Sequence, residues 1–412
     1  MQFRPFCVYR AVPTREMSAS ATPTRRRDFA LLTYVLAAVM LGATLPTPMY
    51  DLYGRQLHFS VLTTTVIFAV YAGGVLGALL LFGRWSDVVG RKPMLLAAAL
   101  LAIGSSVVFL AADSVAALLV GRVLSGLSVG IVTGTATAAI LESAPPRWRT
   151  RAAGVATLAN LGALGLGPMV AGALIQFAPA PLDTAFVVHI VLMALAVLAL
   201  AMTGETAERG GRLSVQRLSL PPQTRAVFAV AATAAFAGFA VNAMFTSLAP
   251  TFVTTLMGVQ SHAVAGVVAG LTVLTAGVVQ PAAVRVAPSR AIAVGSAVLV
   301  LAMVMLLVAL TFSSLWGLIV AAVVAGIGQG LSFGRGLAAV SERTPPDRRA
   351  EVSSSYFLVA YVALSLPIVA MGAAARAWGL QAAGEVFAIV IGVLALVCFV
   401  SIVLQERRRP VG

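Results

Sequence analysis

Few side chains in this 412-residue chain could do chemistry, and most of those sit inside or beside long apolar stretches. Arg122 and Arg335 are cations within such stretches, where an unpaired charge is costly and normally faces a cavity or a partner. Asp51, in Pro46-Thr47-Pro48-Met49-Tyr50-Asp51, is the best-placed carboxylate for a proton reached from outside, or else a solvated loop acid. Asn160, His189, Asn242, Gln329 and Tyr356 could line a cavity or make interhelical hydrogen bonds. Asp87 lies in Gly83-Arg84-Trp85-Ser86-Asp87-Val88-Val89-Gly90-Arg91-Lys92, where a carboxylate at a helix end can accept from N–H groups and pair with arginine. Gly90 there permits a tight turn. Such groups can bind a solute, carry a proton or make and break an ion pair.

Bond-making catalysis has little to work with. The three histidines (His58, His189, His262) lack helical spacing to a second metal ligand, and Cys7 and Cys398 stand at opposite ends of the chain. No Gly-x-x-x-x-Gly-Lys-Ser/Thr loop occurs, so ATP is not a direct energy source. We expect no enzyme, no metal and no cofactor. The net charge of +14 comes without basic patches interleaved with aromatics, and nucleic acid is not an expected partner.

The elements that must position these residues are transmembrane helices. Hydrophobic residues make up 60% of the chain and charged residues 10%, well below the roughly one quarter of a soluble domain. Apolar runs long enough to cross about 30 Å of hydrocarbon recur throughout. The breaks between them predict twelve spans over 29–50, 60–83, 93–112, 114–141, 152–177, 184–203, 226–252, 262–284, 291–312, 314–341, 352–375 and 384–404. Of the 28 basic residues, 24 fall on one side of this arrangement and only Arg55 and Arg376 on the other. The positive-inside rule then makes both termini cytoplasmic. The polar residues 1–28 read as a cytoplasmic tail before a retained first helix, with Met1 or Met17 as the start. Residues 204–225 read as a cytoplasmic linker between six helices (29–203) and six helices (226–404), and residues 405–412 as a tail.

An internal repeat supports that division. Gly126, Gly130, Gly134, Ala138, Ala139, Glu142, Pro145, Pro146 and Arg149 recur 200 residues later, from Gly326 to Arg349. Two homologous halves are how many transporters are built. Glu142 and Glu342, with their Pro-Pro-x-x-Arg tails, are expected to cap and orient loops.

At this point the chain resembles the major facilitator superfamily, from residue 29 to 404. The resemblance implies two six-helix bundles alternating around a midplane site lined by helices 1, 4, 7 and 10. The loop from Gly83 to Pro93 is similar to the superfamily's signature, which implies that Gly83, Asp87, Gly90, Arg91 and Lys92 form a cytoplasmic latch between bundles. Val88 stands where the family usually has a basic residue, and the second-half loop from Gln280 to Arg290 has lost the aspartate. Arg122 resembles part of the family's second motif, which implies a place on the central cleft; a snorkelling arginine is the alternative. Gly162, Gly165, Gly167, Pro168 and Gly172 resemble the antiporter signature, with Ala171 replacing one glycine. Glycines flanking a proline make a kinked helix with small faces that can rock against the other bundle.

The expectation is a secondary transporter of the inner or plasma membrane, working as a monomer and coupling efflux of small amphipathic or hydrophobic compounds to protons. Its partners are then the solute, protons and the bilayer. The alternative is a proton symporter importing a sugar or organic acid. Asp51, Arg122, Asn242, Gln329 and Arg335 are the candidate coupling or cavity residues.

Overall fold

The computed structural model describes residues 22–207, 210, 213, 215–216 and 218–407. The proposed start at Met1 or Met17, Cys7, most of the N-terminal tail, Arg209, Arg212 and Arg217 of the linker, and residues 408–412 lie outside the described residues. The described chain is helical, and twelve helices among those residues are long and apolar enough to span a membrane. They are α1 (Arg25–Leu57), α2 (Val61–Phe82), α3 (Arg91–Leu110), α4 (Val115–Ser143), α5 (Pro146–Phe177) and α6 (Thr184–Met202). The second six are α7 (Pro222–Leu256), α8 (His262–Arg285), α9 (Pro288–Thr311), α10 (Leu315–Glu342), α11 (Pro346–Trp378) and α12 (Leu380–Gln405).

Several helices outrun their apolar segments. The first was expected to end near residue 50, yet α1 continues through a 3-10 turn at Thr47–Met49 and the helix Tyr50–Leu57. Asp51 therefore lies in a helix rather than ending one. The chain turns only at His58, whose φ of 53° is left-handed. Hydrocarbon demands that backbone groups pair internally, and a helix keeps that pairing into the polar zone, where hydropathy no longer marks it.

The 200-residue repeat becomes a repeated packing plan. In the first half α4 packs on α1, α2 and α3, α6 packs on α1 and α3, and α1 also packs on α5. Six helices on, α10 packs on α7, α8 and α9, α12 packs on α7 and α9, and α7 packs on α11. A Cβ on Gly126 would strike the Tyr71 carbonyl and lie 3.0 Å from the Gly74 Cα of α2. A Cβ on Gly326 would lie 2.5 Å from the Thr272 carbonyl of α8. The shared glycines thus sit where two backbones touch, and close backbone approach is what small residues supply between membrane helices.

The halves meet along two seams, α5 on α8 and α2 on α11. On the face opposite the linker they close. The segments Leu45–Tyr50 of α1 and Ala243–Pro250 of α7 are buried there, and the α5 and α8 ends are joined where Ser261 Oγ donates to Gln176 Oε1 at 2.8 Å.

Because Gly126 touches backbone, Gly126→Leu should destabilise the protein by about 1–3 kcal/mol, as overpacking does. Nothing lies within 4 Å of a Cβ on Gly73. Gly73→Ala should leave the detergent melting temperature unchanged or slightly raised, while Gly126→Leu lowers it by several degrees.

Candidate functional site

Between the halves lies a cavity of about 330 Å³, within the usual range for small-molecule sites. It runs from mid-depth, at Met40 and Asn242, toward the linker face, at Thr137 and Gln280. Seven helices (α1, α2, α4, α5, α7, α8, α10) and α11 supply the wall. Among the described residues no charged side chain lines it. The polar lining consists of side-chain amides and hydroxyls, set among aromatic rings such as Phe68, Tyr71, Phe239 and Phe333.

Three expected cavity residues are there: Asn160, Asn242 and Gln329. Asn160 is carried on a π-helical turn, Leu158–Gly162, which with Pro168 interrupts the regular ladder of α5. Asn242 Oδ1 and Gln329 Oε1 are buried and have no hydrogen-bond partner among the described residues. Buried polar atoms are ordinarily paired, so two unpartnered amide oxygens on one cavity wall are available to a hydrogen-bonding solute.

Arg122 is not on that wall. It is 1% exposed and enclosed within the first half. Its Nε donates to the Tyr50 hydroxyl and its Nη1 to the Ala43 carbonyl at 2.7 Å. The guanidinium carbon lies 5.1 Å from the Tyr50 ring centre, 5.5 Å from Tyr71 and 5.8 Å from Phe109. It neither lines the cleft nor snorkels; its charge is held by ring faces and hydrogen bonds one layer behind Ala43 and Tyr71, which do line the cavity.

Other expected residues also lie elsewhere. Asp51 pairs with Arg55 at 3.0 Å, next to a surface cleft lined by Arg55 and Asp183 rather than the central cavity. Arg335 is absent from the cavity lining, and its Nε is buried without a hydrogen-bond partner. Tyr356 is buried inside the second half, donating to the Phe333 carbonyl at 3.2 Å. His189 is enclosed within the first half.

The glycines of α5 form a seam. Gly165 sits against Leu274 and Gly270 of α8, Gly172 against His262 and Gly266, and Gly162 against Gly277. Gly167 faces α1 instead, against Leu41 and Thr44. Pro168 removes one ladder donor, and its carbonyl lies where a Cβ on Gly266 would go.

On the linker face, Arg91 gathers three partners. Its Nη1 reaches Asp87 Oδ1 and Ser86 Oγ, both at 2.6 Å, and its Nη2 reaches Glu142 Oε1 at 3.0 Å. Gly90 makes the turn with φ of 115°. The linker joins this cluster. Glu205 accepts from the backbone N–H groups of Arg91 (2.8 Å) and Lys92 (3.3 Å), which start α3, and Thr206 Oγ1 donates to Glu142 at 2.6 Å. Lys92 Nζ donates to the carbonyls of Ala201 and Thr203 at the end of α6. Gly83 sits just before this loop, where a Cβ would strike the Leu79 carbonyl. Among the described residues every polar contact of Asp87 and Arg91 stays within the first half and the linker. Glu142, expected to cap and orient loops, pairs here with Arg91 of the loop between α2 and α3. Glu205 carried no motif signal at all.

Twelve helices in two pseudosymmetric halves around a neutral, solute-sized cavity have the architecture of a membrane carrier. The chain matches the Major Facilitator Superfamily over residues 30–366, and it belongs to that family. The family and the relatives it matches are transporters, not enzymes. An Aspergillus terreus "MFS-type transporter" is 30% identical over 36% of this chain and 26% of its own length. The human "Proton myo-inositol cotransporter" is 32% identical over 29% of this chain and 18% of its own. The Aspergillus oryzae "MFS efflux transporter aclA" is 28% identical over 36% and 26%. The matched stretch thus spans about a quarter or less of these relatives. Among solved structures, a bacterial homologue of the human lysosomal transporter Spinster superposes with a TM-score of 0.72 at 15% identity, covering 94% of this chain and 99% of that one. That likeness is one of fold.

Partial burial opposes the charge on Glu205, but backbone donors from Ala207, Arg91, Lys92 and Thr206 outweigh it and hold its carboxyl below the ordinary glutamate range. A carboxylate lowered on folding stabilises above its unfolded pKa of about 4.3, and that contribution is lost as pH falls through the folded value. Glu205→Gln should lower the melting temperature at pH 7, and its difference from wild type should shrink steadily below pH 4.3.

Proposed function

We propose that this transporter exports neutral, partly apolar solutes carrying hydrogen-bonding groups, in exchange for protons, by alternating access. The observation that carries the substrate class is the cavity wall, with free amide oxygens on Asn242 and Gln329, aromatic faces, and no charged side chain among the described residues. An ionised solute would have to shed its water there with no counter-charge in return. The α5 glycine seam and the likeness to an efflux transporter support the outward direction. A second reading, proton-linked uptake of a polyol or sugar, is supported by the same amides and by the likeness to a myo-inositol cotransporter. We assign the linker face to the cytoplasm and the protein to the inner or plasma membrane on the arginine distribution, and take the functional unit to be a monomer.

The Asp87–Arg91–Glu142 cluster is proposed as the latch that engages the second half when the linker-side mouth closes. Asp87 is the exposed member of the cluster, at 60% of its side-chain surface, and so is free to exchange partners.

Two experiments test these readings. In inverted vesicles from a host lacking its own efflux pumps, a panel of neutral amphipathic compounds should accumulate with a proton gradient. Asn242→Ala and Gln329→Ala should each weaken apparent affinity about tenfold, the value of roughly one good hydrogen bond. Uptake of polyols into right-side-out vesicles, with no accumulation in inverted ones, would reverse the direction assigned here. For the latch, Asp87→Asn should cut transport at least tenfold at unchanged membrane insertion; wild-type rates would remove the role.

A further inference from the structure

The transport reading needs a group that changes charge, and among the described residues the cavity wall offers no carboxylate, histidine or basic side chain. Asp51 lies at the far end of α1, already paired with Arg55. The first half nevertheless encloses one titratable ring with an unusual setting. His189 of α6 is 3% exposed and lies between α1 and α3. Its Nε2 is 3.2 Å from the Ala38 carbonyl of α1, and its Nδ1 is 2.7 Å from Ser106 Oγ of α3. A carbonyl can only accept, so Nε2 carries the proton and the Ser106 hydroxyl donates to Nδ1. That is a fully satisfied neutral imidazole.

The same two partners can also hold the imidazolium. A hydroxyl both donates and accepts, so a proton arriving on Nδ1 requires only that Ser106 rotate its own hydrogen away. The nitrogen then donates to the oxygen that had donated to it. Beside the ring is a void of about 10 Å³, lined by Ser105, Ser106, Ser125 and Ser128 together with apolar side chains such as Val39 and Phe186, about the size of one water. The ring also fills the space a Cβ on Gly42 would take, so its seat against α1 exists because residue 42 is glycine.

Other charges around the ring are few. From α4 comes Arg122, which shares Ala43 and Phe109 as neighbours with the void. From α1 come Tyr34, whose hydroxyl donates to the Leu192 carbonyl, and Tyr50, bound to Arg122. From α3 come Arg91 and Lys92 at its linker end, with Asp113 just past its other end. On its own chain Asp183 precedes His189 by nearly two helical turns, about 9 Å of rise. Among the described residues no carboxylate touches the ring, and the fixed charge that shares its neighbours is the Arg122 cation.

We infer that His189 is the proton-carrying group of this transporter, neutral in the conformation with the linker side open and protonated in the one that replaces it. The link to the solute is α1. Within seven residues this helix gives Ala38 and Gly42 to His189, the Ala43 carbonyl to Arg122, and Met40, Ala43 and Thr44 to the cavity wall. Charge on the imidazole, unmatched in this arrangement, favours whichever arrangement relieves it, so acidification should deplete the linker-open state.

This inference rests on the alternating-access reading but not on any particular solute, and its test needs none. Nitroxides on Thr150→Cys and Asp347→Cys, exposed positions on the linker face of the two halves, would report their separation in nanodiscs. The full chain would carry Cys7→Ser and Cys398→Ala. Between pH 8 and 5.5 the long-distance population should fall at least twofold, and in His189→Gln it should stay constant while matching the wild-type distribution at pH 8. An unchanged pH response in His189→Gln, or no response in the parent, overturns the inference. If the glutamine variant does not insert, Ser106→Ala keeps the imidazole and should move the midpoint of the response; an unmoved midpoint is equally fatal. Loss of solute transport with an intact distance response would instead count against the proposed substrate class alone.

Discussion

Backbone touching backbone at unsubstituted α-carbons is the contact on which this architecture depends. Helices in hydrocarbon gain nothing from hydrophobic burial against each other, because lipid is equally apolar, so close packing must supply the attraction. Glycine allows the closest packing. On the α5–α8 seam Gly165 meets Gly270 and Gly172 meets Gly266, glycine against glycine. On the α2–α11 seam Gly372 sits against the Thr65 side chain. These contacts set how near the halves approach, and so how deep a cavity is left between them. A seam built largely on glycine backbone offers less resistance to tilting than the close-packed interior of either half.

The repeat supplies the frame twice, and the chemistry enters where the copies differ. Arg122 aligns with Ala322, which is wholly buried at the corresponding place in α10. The first half therefore carries a fixed cation, an aromatic enclosure for it and a buried histidine. The second half answers with Asn242 and Gln329, uncharged groups facing the cavity. The linker-face loops diverge in the same way. The first folds Asp87 and Arg91 into a network with Glu142 and Glu205, whereas the second passes through a single 3-10 turn at Ala283–Arg285. Both halves line the cavity, while the ion-pair network of the linker face belongs to the first.

The twelve spans, the two halves and the glycine faces were legible from the sequence because each rests on a property that repeats along the chain. Apolar length, basic loops and four-residue glycine spacing are all one-dimensional. The direction a residue faces is not. Arg122 could be placed inside a span, but its enclosure is built by Tyr50, Tyr71 and Phe109, which come from three other helices and have no common spacing. Arg335 was assigned toward a cavity by polarity alone and does not line it, whereas Tyr356 makes the interhelical hydrogen bond that was its other reading, to the Phe333 carbonyl. Glu205 shows the same limit on the linker face. It holds the start of α3, more than a hundred residues earlier in the chain, and no local pattern records such a pairing.

A neutral cavity constrains how transport can be driven. If the solute brings no charge and the wall holds none, binding cannot itself displace a proton from a group it touches. Energy must then pass through the wall, from a group behind it to side chains in front. Only a segment with both faces engaged can do this, and α1 between Ala38 and Thr44 is such a segment. Its rear meets the imidazole and the guanidinium, and its front meets the cavity. Thr44 extends the connection, donating to the Leu164 carbonyl of α5 at 2.8 Å, on the helix whose glycines form the seam with α8. A shift of α1 by a fraction of a turn would therefore alter the cavity wall and the seam between the halves together.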